Sequence, residues 1–205
     1  MTILDKLFLL LTGLTAIYLI VHFFKEQKQK KGSYNFYYII SFLVLLVSGL
    51  LLIIFGWSAL KDNFVAVVAG LIPFGIANGL IAKYYPKHEK WFMGLMLVGL
   101  VSIAITRYAG MVTAGKIVYP VFHAIAGLTI FFVPICVVKS KNAKTSFLFV
   151  TLGGTLIGLG GIALAFLSAG KQLLFFSPTF VITILAPLLF LMALSYAVGF
   201  TKGEK

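Results

Sequence analysis

Residues 146–169 read SFLFVTLGGTLIGLGGIALAFLSA and contain no charged side chain. An α-helix rises 1.5 Å per residue, so roughly 20 apolar residues cross the hydrocarbon layer of a bilayer, which is about 30 Å thick. The stretch is long enough to do this, and it is far longer than the roughly 10 residues of a membrane β-strand. It therefore predicts a transmembrane helix.

Apolar runs of similar length fill most of the remaining chain. Apolar residues make up 61% of the 205 residues and charged residues only 11%, whereas soluble domains are about half apolar and a quarter charged. We therefore expect an all-α integral membrane protein, a single transmembrane domain (1–205) with about seven helices and no soluble domain. The predicted spans are 3–24, 36–60, 64–83, 91–110, 117–138, 146–169 and 173–200.

The formal net charge of +12 is typical of nucleic-acid-binding proteins, but here the basic residues fall in short loops between apolar runs. Such loops indicate membrane orientation, because cytoplasmic loops carry the excess of Lys and Arg. Twelve of the 17 basic residues follow odd-numbered spans, which places those loops and the C-terminus in the cytoplasm and the N-terminus outside. We expect a multi-pass protein of the cell (inner) membrane that binds no nucleic acid. The five on the other side are Lys6, Lys61, Arg107, Lys116 and Lys171.

The sixth predicted span carries small residues on one helix face. Gly154, Gly158, Gly161 and Ala165 follow at i, i+4, i+7 and i+11, and Gly75 and Gly79 repeat the four-residue spacing in the third span. Small residues let helices approach closely in a bilayer, where the hydrophobic effect does not drive association. We predict that these residues pack helices, either within the chain or against other membrane subunits or a second copy. A glycine-lined cavity is the alternative.

The sequence lacks the residues that several catalytic and ion-coupled functions need. The carboxylates lie at predicted helix ends or in loops, so the bilayer centre has no group of the kind that proton or sodium carriers use. The sequence shows no intramembrane metal-ligand cluster and no Ser–His–Asp arrangement, so we predict no metal site and no catalytic residue. The five carboxylates are Asp5, Glu26, Asp62, Glu89 and Glu204.

Polar residues gather where the fourth predicted span ends and the fifth begins. Residues four apart share a helix face, which aligns Tyr119 with His123. Together the residues predict a site for a headgroup phosphate, a quinone carbonyl or a haem propionate, with the forked guanidinium of Arg107 as the main anion ligand. The same residue types also serve as plain interface anchors, and both interpretations stay open. The cluster consists of Arg107, Tyr108, Lys116, Tyr119 and His123.

Three hypotheses for function follow. The first is a non-catalytic subunit, anchor or assembly component of a membrane complex, with a lipid or quinone at this cluster. The second is an uncoupled transporter or channel for a small neutral or anionic solute, favoured by prolines inside the spans, Pro73, Pro134 and Pro187. The third is a membrane redox protein or lipid-acting enzyme. No cofactor is predicted, although a haem with one protein histidine stays open; His22 and His123 are roughly 20 Å apart in depth, too far to share one iron.

Overall fold

The structure is a computed structural model that describes residues 1–168 and 177–204, without the side chains of 61, 162–168 and 178. Within these ranges every regular element is helical. Short 3₁₀ helices connect the α-helices at Gly56–Lys61, Pro86–His88 and Thr145–Phe147. The α-helices are α1 (Ile3–Lys30), α2 (Ser33–Phe55), α3 (Asn63–Ala69), α4 (Leu71–Tyr84), α5 (Glu89–Tyr108), α6 (Val112–Lys139), α7 (Leu148–Ser168) and α8 (Pro178–Gly203).

Six helical stretches of the described chain are long and apolar enough to cross a membrane. They contain α1, α2, α3 with α4, α5, α6 and α8, and α7 adds a further apolar helix. The predicted all-helical class is confirmed, and the six to seven long apolar helices are compatible with a membrane bundle. Many large apolar side chains remain exposed on these helices, as expected for surfaces that face lipid rather than water.

The helix boundaries differ from the prediction at two places. Helix α1 continues through the lysine-rich segment predicted as a loop, because Glu26 and Lys30 form an i,i+4 pair there and Lys31, in the left-handed region at φ 47°, ends the helix by donating to Gln27. The third predicted span is two helices, α3 and α4, which meet at Gly70. Pro120, Pro134 and Pro187 lie inside α6 and α8 without ending them. Residues 173–176 of the last predicted span lie outside the described part.

Six helices close into a ring, and α5 lies outside it. Neighbouring helices contact one another in the order α1, α2, α4, α6, α7, α8 and back to α1, while α5 packs on α4, α6 and α3. An aromatic cluster joins α1, α2 and α8 inside the ring. The rings of Phe23 and Tyr38 lie 4.7 Å apart, and Phe200 lies 4.7 Å from Tyr38 and 5.4 Å from Phe23. This cluster holds the first and last helices together.

One end of the bundle collects most of the loops rich in lysine, and we name it the basic end. It is where α1, α4, α6 and α8 finish and where α2, α5 and α7 begin. Contacts between these helix ends show that they are neighbours: the Lys144 amide donates to the Gly203 carbonyl at 2.9 Å, and the Tyr37 hydroxyl donates to Glu89 at 3.1 Å. We name the other end of the bundle, which holds the α5–α6 connection, the opposite end.

Candidate functional site

The predicted polar cluster begins in the tight connection between α5 and α6 at the opposite end. Gly110, at φ 64°, supplies the left-handed conformation that this turn requires. The side chains of Arg107, Tyr108 and Lys116 are exposed. The backbone carbonyl of Arg107 accepts from the Asn63 amide at 3.5 Å, which connects the end of α5 to the start of α3.

Tyr119 and His123 form the inner part of this cluster on α6. Their rings are stacked, with centroids 5.6 Å apart and planes 19° apart. Arg107 lies within electrostatic range of the Tyr119 phenol. The His123 Nδ1 atom is buried and has no hydrogen-bond partner among the described residues. The structure thus places Arg107, Tyr119 and His123 in one region, with Tyr108 and Lys116 exposed at the same end.

The predicted packing glycines have different surroundings. A Cβ on Gly75 would meet Ser41 Oγ, and one on Gly79 would meet the Tyr38 ring. On α7, a Cβ on Gly154 would lie 2.6 Å from Ile130 Cγ2, and one on Gly161 would lie 2.8 Å from His123 Nε2. A Cβ on Gly158 would have no atom within 4 Å. The side chain of Ala165 lies outside the described residues.

At the basic end the structure shows a second cluster, built around Lys83 at the end of α4. The Lys83 ammonium lies 2.6 Å from Glu204 Oε2 and 3.5 Å from Glu26 Oε1. The side chains are almost fully buried, with 12% of Lys83, 9% of Glu26 and 7% of Glu204 exposed. One cation therefore connects α4 to the end of α1 and to the residue that follows α8. We name Glu26, Lys83 and Glu204 the charge triad.

Aromatic and basic side chains surround the charge triad. Lys83 Nζ lies 4.7 Å from the centroid of the Tyr34 ring and 5.9 Å from that of Tyr84, so the two rings stabilise the ammonium through their π faces. Lys30 donates to Glu26 Oε1 at 2.9 Å, and His22 Nε2 lies 3.8 Å from Glu26 Oε2. The buried charges are thus compensated from several sides, as buried ions must be.

Burial changes the acidity of Glu204, which directly follows the last residue of α8. Loss of hydration raises the pKa of Glu204 to about 7, and the Lys83 ammonium acts in the opposite direction. The carboxyl group therefore exchanges its proton near neutral pH.

A cleft with a volume of about 270 Å³ opens beside the charge triad, between α1 and α8. Its wall includes both basic and acidic side chains, whereas Lys83 is not part of it. The cleft therefore offers hydrogen-bond donors and acceptors to one small polar group. The wall includes His22, Lys25, Glu26, Lys30, Thr201 and Glu204.

Neither cluster has the composition of a metal centre. Within residues 1–168 and 177–204, no three His, Cys, Asp or Glu side chains come together as a metal-ligating group. The arrangement suits binding through ion pairs and hydrogen bonds. No known protein family, no characterised protein and no solved structure matches this chain.

The sequence predicts Glu26 and Glu204 at helix ends or in loops and indicates no role for them. Their burial depends on which helices are neighbours, which the apolar runs do not encode. One signal was present in the sequence: Glu26 precedes Lys30 by four residues, and both Glu26 and Glu204 fall among the lysines of the basic end.

Proposed function

We propose that this protein is a non-catalytic, seven-helix component of a cell-membrane complex, with its basic end in the cytoplasm. It holds the polar head of an amphiphile, a lipid or a quinone, at the opposite end between α5 and α6. The site residues are Arg107, Tyr108, Lys116, Tyr119 and His123.

The stacked pair of Tyr119 and His123, with Arg107 nearby, is the observation that supports this proposal. The exposed guanidinium offers several N–H donors to phosphate or carbonyl oxygens. Tyr119 and the imidazole of His123, with its unpartnered Nδ1, extend the polar surface towards the interior of the bundle. A headgroup bound there would keep its acyl or isoprenoid chain beside the exposed apolar side chains of α6, such as Val121 and Leu128.

Glycines with open space beside them on three helices support a role within a larger complex. Added Cβ atoms on Gly94, Gly127 and Gly158 would meet no atom within 4 Å. These glycines lie on α5, α6 and α7, and they leave space in which a partner helix can approach the backbone closely.

Native mass spectrometry of the protein, extracted gently from its own membranes, tests the proposal. We expect a mass above 22.4 kDa that resolves into partner subunits and a bound amphiphile. Arg107→Ala should lose the amphiphile, whereas Lys6→Ala, which removes another exposed cation of the opposite end, should retain it. A bare chain in all three samples would overturn the proposal.

An uncoupled transporter for a small neutral or anionic solute is the second candidate, and the break between α3 and α4 favours it. Broken helices form solute sites in many transporters, because their free backbone groups bind the solute. The two helices meet at Gly70, whose N–H and carbonyl stay paired with Val67 and Phe74. Pro73 nearby has no N–H to donate, and the Ser41 hydroxyl lies 3.4 Å from the Leu71 carbonyl. Solute flux into proteoliposomes that is lost in Arg107→Ala and kept in Lys6→Ala would support this candidate over the first.

A further inference from the structure

The two carboxylates that line the cleft between α1 and α8 at the basic end each keep an oxygen without a donor in the described part of the chain. Lys83 and Lys30 both approach Glu26 Oε1, and Lys83 approaches Glu204 Oε2. The other two carboxylate oxygens, Glu26 Oε2 and Glu204 Oε1, are buried and have no hydrogen-bond partner among the described residues. Such buried acceptors destabilise a protein unless a donor reaches them.

Basic side chains stand at the mouth of the same cleft. Lys25 is exposed, and Lys30 is half exposed, with 49% of its side chain accessible. Above about pH 7, where Glu204 is ionised as well as Glu26 and His22 is neutral, the three lysines Lys25, Lys30 and Lys83 outnumber the two carboxylates by one charge. This balance disfavours a lone cation as ligand. The excess positive charge favours an anion, and the two carboxylate oxygens without donors favour an ammonium. Together they favour a group that carries both side by side.

We propose that this cleft binds a phosphoethanolamine group, with its ammonium on Glu26 and Glu204 and its phosphate on Lys25 and Lys30. The primary ammonium brings three N–H donors to the two unpartnered oxygens. To admit it, Lys30 leaves Glu26 and turns to the phosphate, a change that its half-exposed side chain permits. The membrane lipid phosphatidylethanolamine and soluble phosphoethanolamine esters share this chemistry.

The position of the cleft favours the membrane lipid phosphatidylethanolamine over a soluble ester. It lies where α1 and α8 end, at the depth of the headgroups if the helices span the bilayer. On α1, Leu14 and Tyr18 lie on the same helix face as Lys25, nearer the bilayer interior, and their side chains are exposed. On α8, Leu194 lies two turns before Thr201 and is also exposed. Acyl chains of a bound lipid would lie along these side chains.

Lipid titrations followed by native mass spectrometry, on the purified full-length protein in detergent, test the chemistry. We expect retention of phosphatidylethanolamine about tenfold above phosphatidylcholine, since the trimethylated ammonium has no N–H donor for the two oxygens. Phosphatidylglycerol, which carries the phosphate but lacks the ammonium, should be retained less than phosphatidylethanolamine. Equal retention of the three lipids would overturn the proposal.

Substitutions in and outside the cleft test whether the lipid headgroup binds there. Glu26→Gln and Glu204→Gln should each abolish the preference for phosphatidylethanolamine, whereas Glu89→Gln, which removes a carboxylate of the same end outside the cleft, should keep it. Because a change inside the charge triad also affects folding, an exposed residue provides an independent test. Lys25→Ala should lower retention several-fold, and Lys28→Ala, exposed on the same helix, should not; equal retention in these two variants would contradict the proposal.

A competition experiment distinguishes the two sources. Soluble glycerophosphoethanolamine at millimolar concentration should leave the bound lipid in place if acyl chains contribute to binding. Displacement of the lipid at micromolar concentration would instead identify a free phosphoethanolamine ester as the ligand of the same cleft.

Discussion

The imidazole of His123 on α6 lies directly against Gly161 on α7. A Cβ atom at residue 161 would come within 2.8 Å of His123 Nε2, closer than unbonded atoms approach. The glycine thus leaves the space that the histidine ring occupies, while Tyr119 stacks on that ring from the same helix. The sequence predicts Gly161 as a helix-packing residue and His123 as part of the polar cluster, and the two residues contact each other.

Gly161→Ala should therefore destabilise the protein. The added methyl group displaces an imidazole that Tyr119 holds by stacking, and overpacking of this kind costs about 1–3 kcal/mol. Gly158→Ala, three residues earlier, is the matched control because its Cβ meets open space; it should be neutral or stabilising by up to about 1 kcal/mol. Thermal unfolding in detergent, followed by circular dichroism, compares the two. Equal melting temperatures would show that the His123 contact is not rigid.

Removal of the central cation should destabilise the charge triad. Lys83→Met retains the length of the side chain but leaves Glu26 and Glu204 buried without their shared ammonium, and breaking a buried ion pair costs about 3–5 kcal/mol. Lys87→Met, an exposed lysine of the same end, should have little effect. Adding Glu204→Gln to Lys83→Met should restore part of the loss, since it removes one uncompensated charge. Chemical unfolding that gives additive effects in the double variant would argue against direct coupling.

The stability of the protein should decrease as the pH rises through the range of Glu204. The folded-state pKa of about 7 lies above the ordinary value of 4.5. Between these values the folded state keeps a proton that the unfolded chain has released, so the free energy of unfolding falls with rising pH until about pH 7 and then levels off. Melting temperatures between pH 5 and pH 8 should fall more in the native protein and in Glu89→Gln than in Glu204→Gln. Identical slopes in all three would refute this assignment.

The orientation can be measured because the chain has a single cysteine, Cys136. In a Cys136→Ala background, a membrane-impermeant maleimide added to intact cells should label Met111→Cys at the opposite end. It should label Lys28→Cys at the basic end only after the cells are permeabilised. The reverse pattern would place the basic end outside and would overturn the orientation derived from the lysine distribution.

The length of the apolar runs predicted the helices well. A run such as 117–138 has one stable form in a bilayer, because a helix satisfies its own backbone hydrogen bonds, and α6 indeed covers it. The break at Gly70 was harder to predict. The run around it is uniformly apolar, and Pro73 could equally have marked a kink within one continuous helix.

The charge triad could not be predicted because the sequence gives the depth of a residue but not its direction around the helix. Glu26, Lys83 and Glu204 were all expected at one end, yet nothing in the apolar pattern indicated that α1, α4 and α8 would turn them towards one another. In soluble proteins the polar face of a helix reveals such directions, whereas here both the lipid-facing and the inward faces are apolar.

The charge triad joins helices that are made at very different times. Glu26 and Lys83 leave the ribosome with the first half of the chain, and until α8 follows, Lys83 has only the more distant of its two carboxylates, at 3.5 Å. The partner at 2.6 Å arrives with Glu204, just behind α8. Formation of α8 therefore supplies the closer of the two carboxylates to a lysine that lies between aromatic rings. The buried lysine at the basic end is therefore compensated by both carboxylates only when α8 and the residue behind it are in place.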